Sequence, residues 1–274
     1  MRQIELQSLI PEVCALARKA GEAIMAVYDR SEGSSVQLAT KEDQSPLTKA
    51  DLASHQIICE GLSRMRQDLA VVSEEDADSM HHRTPVGSFW LIDPLDGSKE
   101  FLARNGEFTV NIALVVDTQP VWGVVHAPAL DQMYRGGQTW GAWRALAGAG
   151  GRVESIRVSA PVTAGNRHRV VASKSHLNAQ TSAFIERLGA ADLVQAGSSL
   201  KFCRVAEGLA DVYPRLAPTC EWDTAAAQAV VEGAGGHVVD EQGTRLRYGK
   251  ADVLNPHFIA ASVPSEAFGA QFHG

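Results

Sequence analysis

The chain has 274 residues, of which 45% are hydrophobic, enough to bury a large core in one large domain or in two smaller ones. Its formal net charge of -7 at pH 7 argues against a nucleic acid or an anionic membrane surface as the main partner. The four cysteines are scattered and show no CxxC spacing, so we expect reduced thiols rather than a disulfide framework or a zinc site. No apolar run reaches the roughly 18 residues of a transmembrane helix, and the first residues show no pattern of a secretory signal.

Hydrophobic periodicity predicts two helices followed by an antiparallel-rich sheet in the first half of the chain. Apolar residues recur at helical spacing from Ile4 to Val27 and from Leu52 to Met65, and the second helix is expected to be capped by Thr48 or Asp51. β-Rich segments predict strands over 69–72, 89–92, 109–116, 121–127, 132–135, 140–144 and 155–158. The third and fourth of these strands are predicted to form a hairpin.

The second half alternates between strands and helices, which is typical of an α/β layer. Strands are predicted over 170–173, 193–195, 211–213, 238–239 and 258–261, and helices over 179–188, 199–208 and 223–232. This change of character predicts a boundary near Ala160 and Pro161. We therefore expect an α+β half over 1–160 that carries the acidic motifs and an α/β half over 161–274 that contributes substrate-binding segments.

One stretch of the first half, residues 90–101, combines a strand of buried type with two carboxylates, a proline, a glycine and a serine. The strand is expected to break where Pro94 follows Asp93, and the chain is expected to turn at Asp96 and Gly97. Carboxylates bind hard cations through oxygen, and a glycine lets the backbone come close to an anion. The stretch therefore indicates a metal and phosphate site, with an ordinary acidic turn after a strand as the alternative.

Three further carboxylates lie where a regular element begins or ends, so that the backbone can hold them rigidly. They are Asp51, Glu74 and Asp223. Each alone is a weak signal, and for Glu74 a solvated acidic loop is the alternative. If they converge with Asp93 and Asp96, the set can hold two or three magnesium ions, because magnesium prefers carboxylate and phosphate oxygens over nitrogen or sulfur.

The motifs around these acids resemble those of the inositol monophosphatase superfamily, which comprises magnesium-dependent, lithium-sensitive phosphatases. Asp-Pro-Leu-Asp-Gly-Ser at 93–98 has Ser-Glu-Glu at 73–75 upstream and Trp-Asp at 222–223 downstream, in the order and spacing of that superfamily. The resemblance extends over nearly the whole chain. It implies an α/β (α+β) fold, a layered α-β-α-β-α sandwich, with a metal site between its halves.

Finer motifs are similar to those of the 3'(2'),5'-bisphosphate nucleotidases of the CysQ type within this superfamily. Asp-Gly-Ser-Lys-Glu-Phe at 96–101 stands where inositol monophosphatases usually carry Thr-Thr-Asn-Phe after the glycine. Further segments of the same kind lie over 171–176, 197–203, 211–216, 248–250 and 254–256. The resemblance implies hydrolysis of the 3'-phosphate of adenosine 3',5'-bisphosphate, linked to sulfur metabolism, with 3'-phosphoadenylyl sulfate as a candidate second substrate. The second phosphate needs cationic or hydroxyl partners, and the candidates are His176, Ser198, Lys201 and Arg215.

The resemblance also implies a role for each acid. Magnesium is expected to be bound by the carbonyl of Leu95 and by the side chains of Glu74, Asp93, Asp96 and Asp223. Asp51 is expected to hydrogen-bond Ser98 and, with a metal ion, to activate the attacking water, and Glu74 is expected to be catalytic as well. The substrate is expected to contact a set that overlaps the metal ligands: Leu95, Asp96, Gly97, Ser98 and Asp223. Ser98 stands where the superfamily usually has threonine, which keeps the hydroxyl and removes a methyl.

Several alternatives stay open at this point. A solvated surface position is the alternative for His176, Lys201 and Arg215. Inositol-1-phosphate and fructose-1,6-bisphosphate are alternative substrates, and a non-catalytic phosphate-ligand or RNA-binding module is a further alternative. The negative charge argues against RNA, and the intact set of acids argues against a loss of catalysis. The resemblance implies a cytoplasmic monomer or homodimer, and some members of the superfamily associate with the inner face of the cell membrane.

Overall fold

The computed structural model describes residues 3–30, 45–146, 152–163, 165–172 and 178–264, which form six α-helices and twelve β-strands. The helices are α1 (Gln3–Arg30), α2 (Pro46–Met65), α3 (Ser98–Leu102), α4 (Ala179–Leu188), α5 (Leu200–Ala206) and α6 (Ala225–Gly233). The strands are β1 (Ala70–Ser73), β2 (Ser88–Asp96), β3 (Thr109–Val116), β4 (Gln119–Ala127), β5 (Gln132–Gly137), β6 (Gly141–Leu146), β7 (Arg152–Ser155), β8 (His168–Ala172), β9 (Ala191–Gln195), β10 (Val212–Arg215), β11 (His237–Asp240) and β12 (Phe258–Ala261). None of the described helices is both long and apolar enough to span a membrane.

Helices α1 and α2 cover one face of a seven-stranded sheet. Its strands follow chain order from β1 to β7; β1 pairs with β2 in parallel, and the later neighbours pair antiparallel. Because side chains alternate along a strand, Trp90 and Ile92 of β2 lie in the core beneath the helices. Phe89 and Leu91 lie in the core on the opposite face. The predicted first helix, the β3–β4 hairpin and the antiparallel-rich sheet are confirmed.

Helices α5 and α6 form the middle layer of the molecule, between the two sheets. Small residues let α6 approach the seven-stranded sheet closely: a Cβ atom built on Gly123 of β4 would lie 2.6 Å from Cα of Ala226. On the other side, Phe202 of α5 packs its ring against Tyr213 of β10 and Phe258 of β12. The middle layer therefore shares one core with both sheets.

The second sheet has five strands in the order β11-β12-β10-β8-β9, and α4 packs on its outer face. Phe184 of α4 is fully buried in a core with Val170, Val212 and Ile259. The layers are therefore α1 with α2, the first sheet, α5 with α6, the second sheet, and α4, which confirms the predicted α-β-α-β-α sandwich. The division into halves over 1–160 and 161–274 stays a prediction.

The start of α2 and the position of β7 differ from the prediction. Helix α2 begins at Pro46 and is capped by Ser45, whose Oγ accepts a hydrogen bond from Thr48 N at 3.3 Å, so a cap at Thr48 or Asp51 is wrong. The reason is that proline suits the first helical position, where its missing N–H needs no partner. The strand predicted over 155–158 lies earlier, as β7, which pairs with β6 along its whole length.

Candidate active site

Strand β2 carries two carboxylates on a bulge at its end. The expected break at Pro94 is wrong, because the strand continues to Asp96 with a shift in register. Asp93 lies opposite Asn111 of β3, whereas Asp96 lies opposite Thr109, so β2 has one residue more than its partner between these pairs. Proline has no N–H to donate to the ladder, and a bulge accommodates the interruption.

Two hydrogen bonds hold this bulge, one from α2 and one within the bulge itself. Ser54 Oγ of α2 donates to the carbonyl oxygen of Pro94 at 2.7 Å, which joins the bulge to the helix that carries the buried Asp51. Within the bulge, Leu95 N donates to Asp93 Oδ1 at 3.1 Å. The side chain of Asp93 therefore has a defined orientation toward the acids of other segments.

Acids from separate segments of the chain lie close together beside this bulge. We call the set Asp51, Glu74, Asp93, Asp96 and Asp223 the carboxylate cluster. Glu74, Asp93 and Asp223 bring carboxylate oxygens within 4.8 Å of one another. Burial raises the pKa of Asp93 well above its ordinary value, and neighbouring charges raise it further, in the order Glu74, Asp96, Asp223 and Asp51. Burial and then the charge of Asp96 raise the pKa of Asp223 to about 7. Like charges this close are unfavourable without a cation, and an all-oxygen donor set suits a hard divalent ion, so these residues fit the predicted metal.

The turn before α6 holds Asp223 in place. Asp223 Oδ2 accepts a hydrogen bond from Cys220 N at 2.8 Å. In the same turn, the fully buried Glu221 accepts hydrogen bonds from Lys250 Nζ at 2.6 Å and from Lys250 N at 3.0 Å, and it pairs with Arg83 at 3.3 Å. A buried carboxylate is stable when it is paired and hydrogen-bonded in this way. Glu221 thus connects the turn to the loops that carry Lys250 and Arg83, which lie outside the carboxylate cluster.

Asp96 is oriented by donors from β3 and from the segment before α5. Its Oδ2 atom accepts hydrogen bonds from Ser199 N at 2.7 Å and from Ser199 Oγ at 2.8 Å. Thr109 Oγ1 donates to the same oxygen at 3.3 Å. A carboxylate of the first sheet is therefore positioned partly by the second half of the chain.

A cavity of about 480 Å³ adjoins the carboxylates, and Asp96, Gly97 and Ser98 line the end nearest to them. Three cationic side chains also line it: Lys99, Lys201 and Arg215. Its apolar wall consists of Ala172, Tyr213, Pro214, Leu216 and Ala217. Lys201 is only 8% exposed, and its Nζ lies 5.8 Å from the centroid of the Tyr213 ring. A volume of this size, with an apolar wall and a few charged groups, is typical of a small-molecule site.

Two residues with a left-handed backbone conformation lie next to each other where the cavity meets the carboxylates. Gly97, which precedes α3, has φ 96° and ψ 49°, and Ser198 has φ 39°. A Cβ atom at position 97 would lie 3.0 Å from the Cβ atom of Ser198. Position 97 therefore requires glycine for its backbone conformation and for the close approach of the two loops.

The structure brings together most of the residues that the sequence singled out. The acids that lie at one place are Asp51, Glu74, Asp93, Asp96 and Asp223. The predicted substrate-binding residues that line the adjoining cavity are Asp96, Gly97, Ser98, Ser198, Lys201 and Arg215. Metal binding by the Leu95 carbonyl and by the acids, the substrate contacts, and the hydrogen bond between Asp51 and Ser98 stay predictions. His176 lies outside the residues that the structure describes.

Sequence reasoning missed three polar residues around the acids: Asn111, Ser199 and Glu221. Asn111 carried the clearest signal, since it is a polar residue within the apolar strand β3, where it is 1% exposed. Glu221 and Ser199 have no local signal, because their partners lie far away along the chain.

The sequence profile of the inositol monophosphatase family matches residues 5–272, and the chain belongs to this family. It is 45% identical over 251 residues to the 3'(2'),5'-bisphosphate nucleotidase CysQ of Salmonella typhimurium, a match that covers 91% of this chain and 98% of that protein. The crystal structure of CysQ from Bacteroides thetaiotaomicron is 38% identical and has a TM-score of 0.81, covering 94% of this chain and 98% of that one. An inositol monophosphatase from Zymomonas mobilis, 21% identical, shares the fold with a TM-score of 0.75 over 97% of this chain and 99% of its own.

These matches confirm the predicted family, the fold class and the assignment as a phosphatase. They also confirm the similarity to the CysQ-type branch that the finer motifs indicated.

Proposed function

We propose that this enzyme hydrolyses the 3'-phosphate of adenosine 3',5'-bisphosphate, with magnesium as its cofactor, to give AMP and phosphate. The observation that carries the proposal is the junction between a carboxylate cluster and a cavity lined by three cations. The carboxylates suit metal ions, the cations suit a second phosphate, and the apolar wall suits a nucleoside. The identity of 45% to a protein named 3'(2'),5'-bisphosphate nucleotidase supports this choice of substrate.

The carboxylate cluster would hold two or three magnesium ions. The ligands in this proposal are the Leu95 carbonyl and the side chains of Glu74, Asp93, Asp96 and Asp223. When bound, magnesium supplies Lewis acidity that eases deprotonation of the attacking water and offsets charge on the leaving oxygen. The hydrogen bonds from Leu95 N, Ser199 and Cys220 N orient the ligands before any ion binds.

Asp51 and Ser98 would accept the proton of the attacking water. Ser98 begins α3 and lines the cavity, and Asp51 lies in the buried part of α2 that is fixed to the bulge by Ser54. In this proposal the water donates toward the Ser98 hydroxyl, which donates to the Asp51 carboxylate, so a lone pair of the water faces the phosphorus. The new bond joins the water oxygen to phosphorus, and the bond from phosphorus to the ribose 3'-oxygen breaks. In this proposal the proton of the attacking water passes through Ser98 to Asp51, which later releases it to solvent, and the 3'-oxygen takes a proton from solvent water to leave as a hydroxyl.

The cationic side chains of the cavity would bind the second phosphate. Lys201 is the main candidate, because the residue is only 8% exposed and its side chain lines the cavity, where a cation has few competing partners. Arg215 and the Ser198 hydroxyl line the same cavity, and His176 is the further residue that the sequence predicts. These cations would favour a bisphosphate over inositol-1-phosphate, which has no second phosphate for them.

The same site would act on 3'-phosphoadenylyl sulfate, because that compound carries the same 3'-phosphate and an anionic group at its 5' end. All four cysteines are free, as expected in a reducing compartment, and we propose a cytoplasmic location.

The test is release of phosphate from adenosine 3',5'-bisphosphate and from inositol-1-phosphate, with magnesium, with EDTA, and with added lithium. A magnesium-dependent, lithium-inhibited preference for the nucleotide is expected. Preference for inositol-1-phosphate would contradict the assigned role of Lys201 and Arg215, and activity in EDTA would contradict the metal site.

A further inference from the structure

Ser199 lies between two of the carboxylate segments and takes no part in lining the cavity. It is 1% exposed, whereas the neighbouring Ser198 lines the cavity. Besides its two hydrogen bonds to Asp96 Oδ2, its hydroxyl lies 3.0 Å from the carbonyl oxygen of Asp223. Asn111 Nδ2 donates to Ser199 Oγ at 2.8 Å. Ser199 therefore contacts β3, the end of β2 and the turn before α6 at once.

The partners of the Ser199 hydroxyl determine its direction. An amide NH₂ group only donates, so Asn111 occupies an acceptor position on the hydroxyl oxygen. The single hydroxyl proton is then shared between Asp96 and the carbonyl of Asp223, and an ionised carboxylate is the stronger acceptor. Asn111 thus donates a hydrogen bond to Ser199, and Ser199 donates one to Asp96.

Among the described residues, the hydrogen bonds to Asp96 use its Oδ2 atom and leave Oδ1 available to a metal ion. Within the described part of the chain, every hydrogen bond to Asp96 ends on Oδ2, including the longer ones from Thr109 at 3.3 Å and Asn111 at 3.5 Å. We propose that Ser199 is a positioning residue that orients Asp96 to bind a metal ion through Oδ1 alone. This inference rests on the metal dependence of the proposed function.

The test is Ser199→Ala, which removes the hydroxyl and keeps the N–H bond to Asp96. The Kd for Mn²⁺, measured by calorimetry without substrate, is expected to rise about 10-fold, because outer-shell partners of metal ligands contribute about 10- to 100-fold to affinity. The magnesium concentration for half-maximal hydrolysis is expected to rise by the same factor, and kcat at saturating magnesium is expected to return close to that of the wild type. A merely structural role would lower the melting temperature without this dependence on metal.

The matched control is Ser159→Ala. Ser159 Oγ donates to the Asp211 carboxylate at 2.7 Å, so this variant loses a hydrogen bond of the same kind outside the carboxylate cluster. Its Mn²⁺ affinity is expected to equal that of the wild type.

Unchanged Mn²⁺ affinity in Ser199→Ala would overturn the inference, as would a loss of kcat that excess magnesium does not restore. If the wild type itself bound no Mn²⁺, the metal in the proposed function would fail as well, which is a distinguishable result. If Ser199→Ala did not fold, Asn111→Ala would serve instead, because it removes the donor that orients the hydroxyl. Weaker Mn²⁺ binding is expected there too, and unchanged binding would overturn the inference.

Discussion

Asp223→Asn is expected to stabilise the metal-free protein while it abolishes magnesium-dependent hydrolysis. Burial and the charge of Asp96 raise the pKa of Asp223 to about 7, against an ordinary value of 3.8. Since one pKa unit corresponds to about 1.4 kcal/mol, the buried charge lowers the free energy of unfolding by up to about 4 kcal/mol at pH values above 7. Asparagine removes the charge and keeps an oxygen that can accept from Cys220 N, so we expect a gain of about 2–4 kcal/mol.

The pH dependence follows from the same pKa. An acid whose pKa is higher in the fold than in the unfolded chain binds more protons in the fold, so stability falls as the pH rises between the two values. The metal-free wild type is therefore expected to lose stability from about pH 4 to about pH 7, and Asp223→Asn is expected to lose less. Urea unfolding in EDTA at about pH 5 and about pH 8 measures the difference.

The control for this prediction is Asp240→Asn at the end of β11. Asp240 Oδ1 also accepts backbone hydrogen bonds, from Gln242 N at 2.9 Å and Thr244 N at 2.8 Å, but Asp240 is not a member of the carboxylate cluster. It is expected to show no gain in stability. If Asp223→Asn in EDTA at the higher pH were no more stable than the wild type, the argument that these acids repel one another would be refuted. Addition of magnesium is expected to stabilise the wild type and not Asp223→Asn.

Three further substitutions test other parts of the site. Lys201→Met is expected to raise KM for adenosine 3',5'-bisphosphate about 10- to 100-fold with little change in kcat, because a hydrogen bond to a charged group contributes about 1.5–3 kcal/mol. Steady-state kinetics measures this change, and an unchanged KM would show that the second phosphate binds elsewhere. Gly97→Ala is expected to lower the free energy of unfolding by about 1–2 kcal/mol, because φ is 96° there, and thermal unfolding that matches the wild type would contradict this. Lys250→Met is expected to lower it by about 1–3 kcal/mol, because the fully buried Glu221 loses one of its two cationic partners; an unchanged urea midpoint would show that Arg83 alone suffices.

Features with local causes could be predicted from the sequence. Helix α4 has the predicted bounds, Ala179–Leu188, because each end carries its own signal. Asn178 Oδ1 accepts from Thr181 N at 2.8 Å and caps the start, and Gly189 has φ 79° just beyond the end. The chain within about one turn of each boundary therefore contains the information that sets it.

Features that depend on distant partners could not be predicted in the same way. The bond between Ser199 and Asp96 joins residues 103 positions apart, so nothing near Ser199 distinguishes it from the neighbouring Ser198. Lys201 has the same difficulty, since a lysine on a short apolar helix is either solvated or buried at a site. Its 8% exposure depends on how α5 packs beside β10, which the sequence of α5 does not contain.

Three acids of the carboxylate cluster, Asp93, Asp96 and Asp223, accept hydrogen bonds from neutral donors, and this separates them from the buried Glu221. Among the residues described, the hydrogen bonds to Asp93, Asp96 and Asp223 come from backbone N–H groups, hydroxyls and an amide. The buried Glu221, by contrast, is paired with two cationic side chains. Neutral donors fix the direction of a carboxylate without cancelling its charge, so the burial and the repulsion that raise the pKa of Asp223 act until an external cation binds. Metal affinity and the instability of the metal-free protein thus have one origin, and a variant that removes the repulsion is expected to lose the affinity with it.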